Sequence, residues 1–506
     1  MVVDRFDNGD PDNDTLEGIG PGPTDLTRHQ GGDWRGLRRR LGYIARLGAT
    51  AIWISPIVAN VDRTEREDGY HGYWASDFTR LNPRFGDLTE LRRLVNAAHD
   101  RGLKVIVDIV PNHAGRVFNY DLDGDGVLDA ATEIEPPYVA SGYDVPLLWT
   151  HQPRLFGPSA AFELRAEHFR RRGEGDRVYG DFPTGLRDLD TEREDVLAGL
   201  IETYAYWVEQ TDVDGFRIDA VPHIEDPFWP RFGSALRERL ARQGKRRFFL
   251  IGEAFDGNPL DRVRFTSETG SLDATFDFSL KFDVIDKVIL EGRETELARA
   301  ALETNESLYR PFEHPNGIGI NPWQARVGIV DNHDTWRLRG ELDRFDAARL
   351  ALIVLLTIDA IPCLYYGTEQ ELRGQGGSDS RERMWDTGFR TDTPTYALLH
   401  ELIALRRSSA VLRRGELRVR YTSPEDGRSD AEDAGILAYE RQLDDERMLV
   451  VLNAHALKQS RASIPTGFAS GTRLRDVLAG RELTVGEAGT LDVTLDPREP
   501  LILAIE

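Results

Sequence analysis

Three acidic residues, each just past a short apolar run, are the positions in this sequence best placed to do chemistry. Asp219 ends Gly215-Phe-Arg-Ile-Asp219, Glu253 follows Phe249-Leu-Ile-Gly, and Asp334 closes Val330-Asp-Asn-His-Asp334. A fourth acid, Asp108, stands at the end of Leu103-Lys-Val-Ile-Val-Asp108. Carboxylates that share a semi-apolar pocket push each other's pKa values apart, so one stays protonated while another stays ionised. Glycoside cleavage needs that division, with an acid on the leaving oxygen and a nucleophile at the anomeric carbon. Arg217 falls on the same side of its strand as Asp219, and a guanidinium there is expected to keep Asp219 ionised and oriented. Glu253 has no comparable basic neighbour in sequence, which suits a carboxyl that must hold a proton. One acid at a strand end is most simply a cap or an ion pair; three at three strand ends are better read as a site.

The elements that must bring these acids together are short strands alternating with amphipathic helices. Strands are predicted at Thr50–Ser55, Leu103–Val110, Gly215–Ile218, Arg247–Ile251, Ala274–Phe278, Ala325–Val330 and Ile361–Tyr365, with Val2-Val3 as the stub of a first. Helices are predicted at Trp34–Leu47, Leu88–Arg101, Glu194–Glu209, Phe228–Arg242, Lys281–Thr304, Phe345–Thr357 and Thr395–Arg407. Near-continuous apolar strands between amphipathic helices indicate a parallel sheet, and eight such units suggest a (β/α)8 barrel with its site at the carboxyl ends of the strands. The stretch 114–190, rich in Gly, Pro and Asp, is too long for a barrel loop and reads as an inserted subdomain. Beyond about Arg413 the helical pattern stops, and short strands at Ile436–Glu440, Met448–Leu452 and Leu501–Ile505 indicate a terminal β-sandwich. The expected division is a barrel from 1–113 and 191–412, an insert at 114–190 and a β-domain at 413–506.

Composition narrows the partners. The chain has 506 residues, with 86 acidic against 63 basic ones and a formal net charge of −23. Such a balance disfavours nucleic acid and fits a neutral substrate and bound divalent cations. The single cysteine, Cys363, allows no intrachain disulfide and reads as a packed small residue. The longest apolar stretch, Leu350 to Ile358, is too short to span a bilayer. No signal peptide is visible, but the chain opens inside an expected strand, so a truncated start and a secreted or periplasmic protein are expected. A monomer is expected as well.

Four segments together resemble the α-amylase superfamily, glycoside hydrolase family 13, over essentially the whole chain. They are Asp108-Ile-Val-Pro-Asn-His113, Gly215-Phe-Arg-Ile-Asp-Ala-Val-Pro-His223, Gly252-Glu-Ala-Phe255 and Asp331-Asn-His-Asp334, in that order. The resemblance implies that Asp219 forms a covalent glycosyl-enzyme, that Glu253 serves as acid and then base, and that Asp334 binds sugar hydroxyls and raises the Glu253 pKa. It implies that His113 and His333 hydrogen-bond the sugar beside the cleavage point, that Arg217 steers Asp219 and that Tyr73 stacks on that sugar. His71 and Trp74, in the same Tyr70-His-Gly-Tyr-Trp74 segment, and His223 complete the substrate-binding candidates, although core packing is the simpler reading of Trp74. The lysine common before the histidine of the second segment is replaced by Pro222, which leaves the aglycone contacts open.

Calcium candidates number one to three, all structural. Asn8-Gly-Asp10-Pro-Asp-Asn13-Asp14 and Gly31-Gly-Asp33 crowd hard oxygens into one region. They are similar to a calcium loop of cyclodextrin glycosyltransferases, which implies ligands at Asn8, Asp10, Asn13, Asp14, Gly31 and Asp33. Asp121-Leu-Asp123-Gly-Asp125-Gly126-Val127-Leu-Asp129 follows EF-hand spacing, but its twelfth position is Thr132, with Glu133 adjacent. Asn112, Asp188 and the His223 carbonyl match, by resemblance, the ion that joins barrel and insert in many amylases. The expected function is retaining hydrolysis of α-1,4 bonds in starch-type α-glucans or maltooligosaccharides. Alternatives are a transglycosylase of the cyclodextrin glycosyltransferase or trehalose synthase kind, and, more distantly, a non-catalytic amylase-like binding protein. Further starch-binding modules, usual in cyclodextrin glycosyltransferases, are not evident, which favours hydrolysis.

Overall fold

The computed structural model describes residues 1–134, 145–170, 177–182, 184–267, 271–303, 306–309, 311–315, 317–340 and 345–506. Five strands, β1 (Ala51–Ile54), β2 (Lys104–Ile109), β3 (Gly215–Ile218), β4 (Phe249–Gly252) and β5 (Ala274–Thr275), pair in that order and all in parallel. A second parallel pair, β6 (Val327–Ile329) and β7 (Ile361–Cys363), is joined to the β5 edge by a parallel bridge from Phe276 to Val327. At the opposite edge the Met1 ammonium donates to the Trp53 carbonyl and the Ser55 N–H donates to the Met1 carbonyl. The chain start therefore occupies the place expected of a first strand.

Its conformation differs from that expectation, because Val3–Phe6 forms one helical turn. Asp4 and Arg5 are both buried and bond to each other; Asp4 also accepts from the Gln30 and Gly31 amides, and Arg5 donates to the Leu26 and Arg381 carbonyls. Successive side chains of a strand face opposite ways, so two buried neighbours turned into one network require the chain to curl.

Alternation along the strands sorts their side chains into two cores. Phe249, Ile251, Ala274, Phe276, Val327 and Ile329 pack together inside the barrel with Trp53 and Ile106. Ile52, Ile54, Val105, Val107, Phe216, Ile218 and Leu250 face the surrounding helices instead. That double burial is why these strands read as continuous apolar runs. Asp108 and Arg217 share the inward parity, two residues beyond Ile106 and Gly215.

Helices stand at Trp34–Leu47, Leu88–His99, Glu194–Thr211, Phe228–Arg242, Phe345–Thr357 and Pro394–Ser408, close to the predicted bounds. The single helix expected over Lys281–Thr304 is instead a π-helix, Leu280–Leu290, and an α-helix, Glu296–Leu302; Thr304 lies outside the described residues. The Lys281 ammonium pairs with Asp286 five residues on, the spacing of the wider π turn, and Gly292 with φ +73° ends it. Short hairpins, Phe118–Tyr120 with Leu147–Trp149 and Arg154–Phe156 with Ala161–Glu163, fill much of the described insert, while 135–144 and 171–176 lie outside the description.

The terminal region holds a six-stranded antiparallel sheet and a two-stranded one, Ser460–Pro465 with Thr490–Leu495. Ile436, Leu449, Val451 and Leu503 of the first pack against Ile464, Leu491 and Val493 of the second, as in a sandwich. Its junction with the barrel is polar and buried. Arg441, from the strand Ile436–Leu443, donates to the carbonyls of Thr357, Leu412 and Gly415, and Tyr439 shares a hydrogen bond with the Thr357 hydroxyl. Arg406, from the last barrel helix, donates to Leu356, Ile358 and Ala360.

Candidate active site and metal-ligand clusters

Three of the four strand-end acids meet around one guanidinium. Arg217 Nη1 lies 3.0 Å from Asp108 Oδ1 and 2.9 Å from Asp219 Oδ1, and its Nη2 is 2.5 Å from Glu253 Oε1. The register of β2, β3 and β4 makes this possible, because Arg217 is paired with Asp108 on one side and Ile251 on the other. The strand ladder continues past the last paired residues, as the Asp219 N–H donates to Ile109 and the Glu253 N–H to Ile218. Ala220 then takes a left-handed φ of +51°, and the Val221 N–H donates to the Glu253 carbonyl, which binds the two acid-bearing segments together.

Asp334 completes the mouth from the β6 side. It stands 3.0 Å from His333 Nε2 and 3.1 Å from Arg381 Nη2. The Tyr73 hydroxyl donates to Asp108 Oδ2 at 2.7 Å and lies 2.9 Å from His333 Nε2, with the two rings parallel. Trp53 Nε1 also donates to Asp108, and the Arg217 guanidinium lies over the Trp53 and Tyr73 rings.

Burial dominates the electrostatics. It raises Asp219 to about 6 against the opposing pull of Arg217, so Arg217 does not hold this acid in the ordinary carboxylate range. Burial raises Glu253 further, to about 7, with Arg217 again opposing and the charges of Asp219 and Asp334 adding to the rise. Asp334 goes the other way, because a hydrogen bond from His333 and the charges of Arg381 and Arg217 outweigh its burial and hold it well below the usual carboxylate range. Asp108 is raised to about 6 by burial. Glu253 thus sits highest of the four, and it does have a basic neighbour, supplied by the adjacent strand.

The remaining substrate candidates are placed unequally. His113, lowered to about 3 by burial, stacks on Phe182, and its Nε2 is buried with no hydrogen-bond partner among the described residues. His71 is buried, accepts the Tyr73 N–H at Nδ1 and packs against Tyr70 and Trp74; Trp74 is buried too. His223 packs edge-on against Phe182. Cys363 is partly covered by neighbours, and burial pushes its thiol up to about 11, in line with a packed residue. Two participants escaped the sequence reading. Arg381 sits in an irregular loop with no period to mark it, and Trp53 is legible only as a strand residue.

Three oxygen clusters fit a hard cation to different degrees. Around Gly31, the Asn8 Oδ1 and Asn13 Oδ1 atoms are buried without a hydrogen-bond partner among the described residues, and Asn8 Nδ2 spans both oxygens of Asp14. Gly31 has φ +97°, and a Cβ there would lie 2.5 Å from Asp14 Oδ1, so only glycine fits. Asp33 is differently employed. Its carboxylate caps the helix Trp34–Leu47 by accepting from Gly36 and also accepts from Gly9 and Asp10. Asp10 itself faces Arg35.

In the second cluster, oxygens of Asp121, Asp123 and Glu133 lie within 4.8 Å of one another, and Asp121 Oδ1 is buried and unpartnered. Glu133 was missed as a ligand because EF-hand spacing points to position 132. Here the Leu122 and Asp129 amides donate to the Glu133 carboxylate and draw it inward. Asp125, Val127 and Asp129 stay exposed and outside that group, with the Asp125 and Asp129 carboxylates accepting local amides at Val127 and Ala131. In the third, Asp188 pairs with His113 across two short strands, next to Asn112, whose Oδ1 is buried with no hydrogen-bond partner among the described residues. Burial pushes Asp188 well above the usual range, against the opposing Gly180 N–H and the Arg170 charge.

A parallel barrel with an acid-lined mouth, joined to an antiparallel β-domain, is the class these features define. Residues 1–396 match the family described as alpha amylase, catalytic domain, and residues 429–502 match the maltogenic amylase C-terminal domain. The chain belongs to the alpha-amylase family. It is 30% identical to an alpha-amylase of Streptomyces lividans across 95% of this chain and 57% of that protein. It is 29% identical to a cyclomaltodextrin glucanotransferase of Geobacillus stearothermophilus across 97% and 64% respectively. The chain thus spans less than two thirds of the length of these curated relatives. Among solved structures, a cyclomaltodextrin glucanotransferase with a three-domain ABC distribution superposes with a TM-score of 0.80 at 26% identity, covering 100% of this chain and 98% of that one. An Anoxybacillus alpha-amylase superposes with a TM-score of 0.76 at 27% identity, covering 100% and 97%.

Proposed function

We propose that this protein is a retaining α-glycosidase that hydrolyses α-1,4 bonds in starch-type α-glucans or maltooligosaccharides. The observation that carries the proposal is the sharing of Arg217 by Asp219 and Glu253. Of these two acids Asp219 has the lower pKa, about 6 against about 7, and so is the better nucleophile while Glu253 keeps the proton. In this mechanism Glu253 protonates the leaving oxygen as Asp219 attacks the anomeric carbon, and the Glu253 carboxylate then takes a proton from the water that opens the ester. Asp334, ionised and facing the same mouth, accepts sugar hydroxyls. His113 and His333 are both kept neutral by burial and can donate to the bound sugar, with Tyr73 forming the wall beside them. The barrel, insert and β-domain divisions given above are part of this proposal.

The clusters around Asn8, Asp121 and Asn112 are proposed to hold calcium, with Glu133 in place of Asp125 and Asp129 at the second. Such an ion would neutralise enclosed carboxylates and tie loops together, and no chemical step passes through it. Transglycosylation is the second reading. It is favoured by a superposition as extensive on the three-domain glucanotransferase as on the amylase, which removes domain number as an argument for hydrolysis.

The test is product analysis with starch, pullulan, cyclodextrin and maltotriose, following the anomeric signal by NMR. Newly released ends should be α-configured; initial β-configured ends would overturn the retaining mechanism, and cyclic products would favour the second reading. Asp219→Asn and Glu253→Gln should each lower kcat by about 10⁴-fold or more, the scale of losing a covalent nucleophile or its proton donor.

A further inference from the structure

A cleft of about 410 Å³ lies between the π-helix Leu280–Leu290 and the loop 335–338. Lys281, Phe282, Asp286 and Glu291 line one wall, and Trp336 stands on the other. The 335–338 wall continues the segment that carries Asp334, whereas the π-helix follows β5 and meets the Glu253 segment only by packing. Trp336 follows Asp334 by two residues, while the Phe282 ring packs against Phe255, two residues beyond Glu253.

Trp336 is 47% exposed, yet its mounting is fixed. The Asn332 side chain accepts the Asp334 and Thr335 N–H groups, the Arg337 N–H donates to the Gly374 carbonyl, and the Leu338 N–H donates to the Asp331 carboxylate. Gly376, with φ +102°, lies against the indole; a Cβ there would be 3.1 Å from Trp336 Cδ1, so the ring rests on bare backbone. An exposed aromatic face held in place loses little entropy when it is covered. Across the cleft the Lys281–Asp286 pair and Glu291 offer hydrogen-bonding groups of both kinds. An apolar peptide would leave those groups unsatisfied, and a net charge of −23 repels polyanions. A neutral polyhydroxylated chain matches both walls, with a C–H face for the indole and hydroxyls for the ionic groups.

We infer that this cleft binds a stretch of α-glucan remote from the bond being cleaved, with Trp336 as its stacking platform. The inference rests on the α-glucan reading above. It is tested by calorimetric titration of Glu253→Gln protein with maltoheptaose and with maltose, alone and combined with Trp336→Ala or Trp336→Phe. Trp336→Ala should weaken maltoheptaose binding about tenfold and maltose binding less than about twofold, and Trp336→Phe should restore most of the loss. Equal weakening for both sugars, no weakening, or no rescue by phenylalanine would overturn it. If Glu253→Gln protein binds neither sugar and the wild type cleaves no α-glucan, the parent reading falls, and this one with it.

Discussion

At the scale of single residues, the site is a competition between burial and one guanidinium. Arg217 opposes the rise of both Asp219 and Glu253, and desolvation still wins at each. The proposed mechanism needs Asp219 ionised and Glu253 protonated, so kcat/KM should trace a narrow bell with an acid limb near about 6 and an alkaline limb near about 7. The sign follows from the roles: activity rises as Asp219 loses its proton and falls as Glu253 loses its own. A pH–rate profile on a soluble maltooligosaccharide checks this, and a flat profile between pH 5 and 8 would contradict it. The link from Arg217 to Asp219 was legible because strand parity is fixed by sequence. The link to Glu253 was not, because it depends on the register between β3 and β4. The rise of the Asp219 pKa was not legible for a related reason: sequence displays the neighbouring charge and conceals the depth of burial.

At the scale of elements, caps and turns decide where the site's supports stand. Asp33 caps the helix Trp34–Leu47 and accepts three backbone N–H groups in all. Its replacement by alanine should cost about 2–4 kcal/mol, the sum of a lost cap and two orphaned amides. Chemical denaturation measures the loss, and Asp33→Ser should recover part of it through the cap alone. Most helices were legible in the sequence because their apolar faces repeat at the α period. The two failures share a cause, since a buried polar pair overrode the local pattern: Asp4 with Arg5 at the chain start, and Lys281 with Asp286 in the π-helix. Neither pairing leaves a trace in hydropathy. Glu133 escaped in a similar way, one position from where loop spacing places a ligand.

At the scale of the whole molecule, the oxygen clusters tie segments far apart in sequence, such as Asn8 with Gly31 and Asn112 with Asp188. If calcium fills them as proposed, chelation should lower the melting temperature. Each site held at a hundredfold excess over its dissociation constant contributes about 3 kcal/mol. Scanning calorimetry with and without a chelator measures this, and re-addition of calcium should reverse the shift; an unchanged transition would exclude a structural ion. The seam between barrel and β-domain has a different character. Arg441 belongs to the β-domain, yet one of the carbonyls it serves is that of Thr357, at the end of a barrel helix. The β-domain thus supplies a donor to the end of a barrel helix. Recombination of this barrel with a foreign partner would therefore cost about 1–3 kcal/mol unless the incoming sheet carries an arginine, or an equal donor, at that one position.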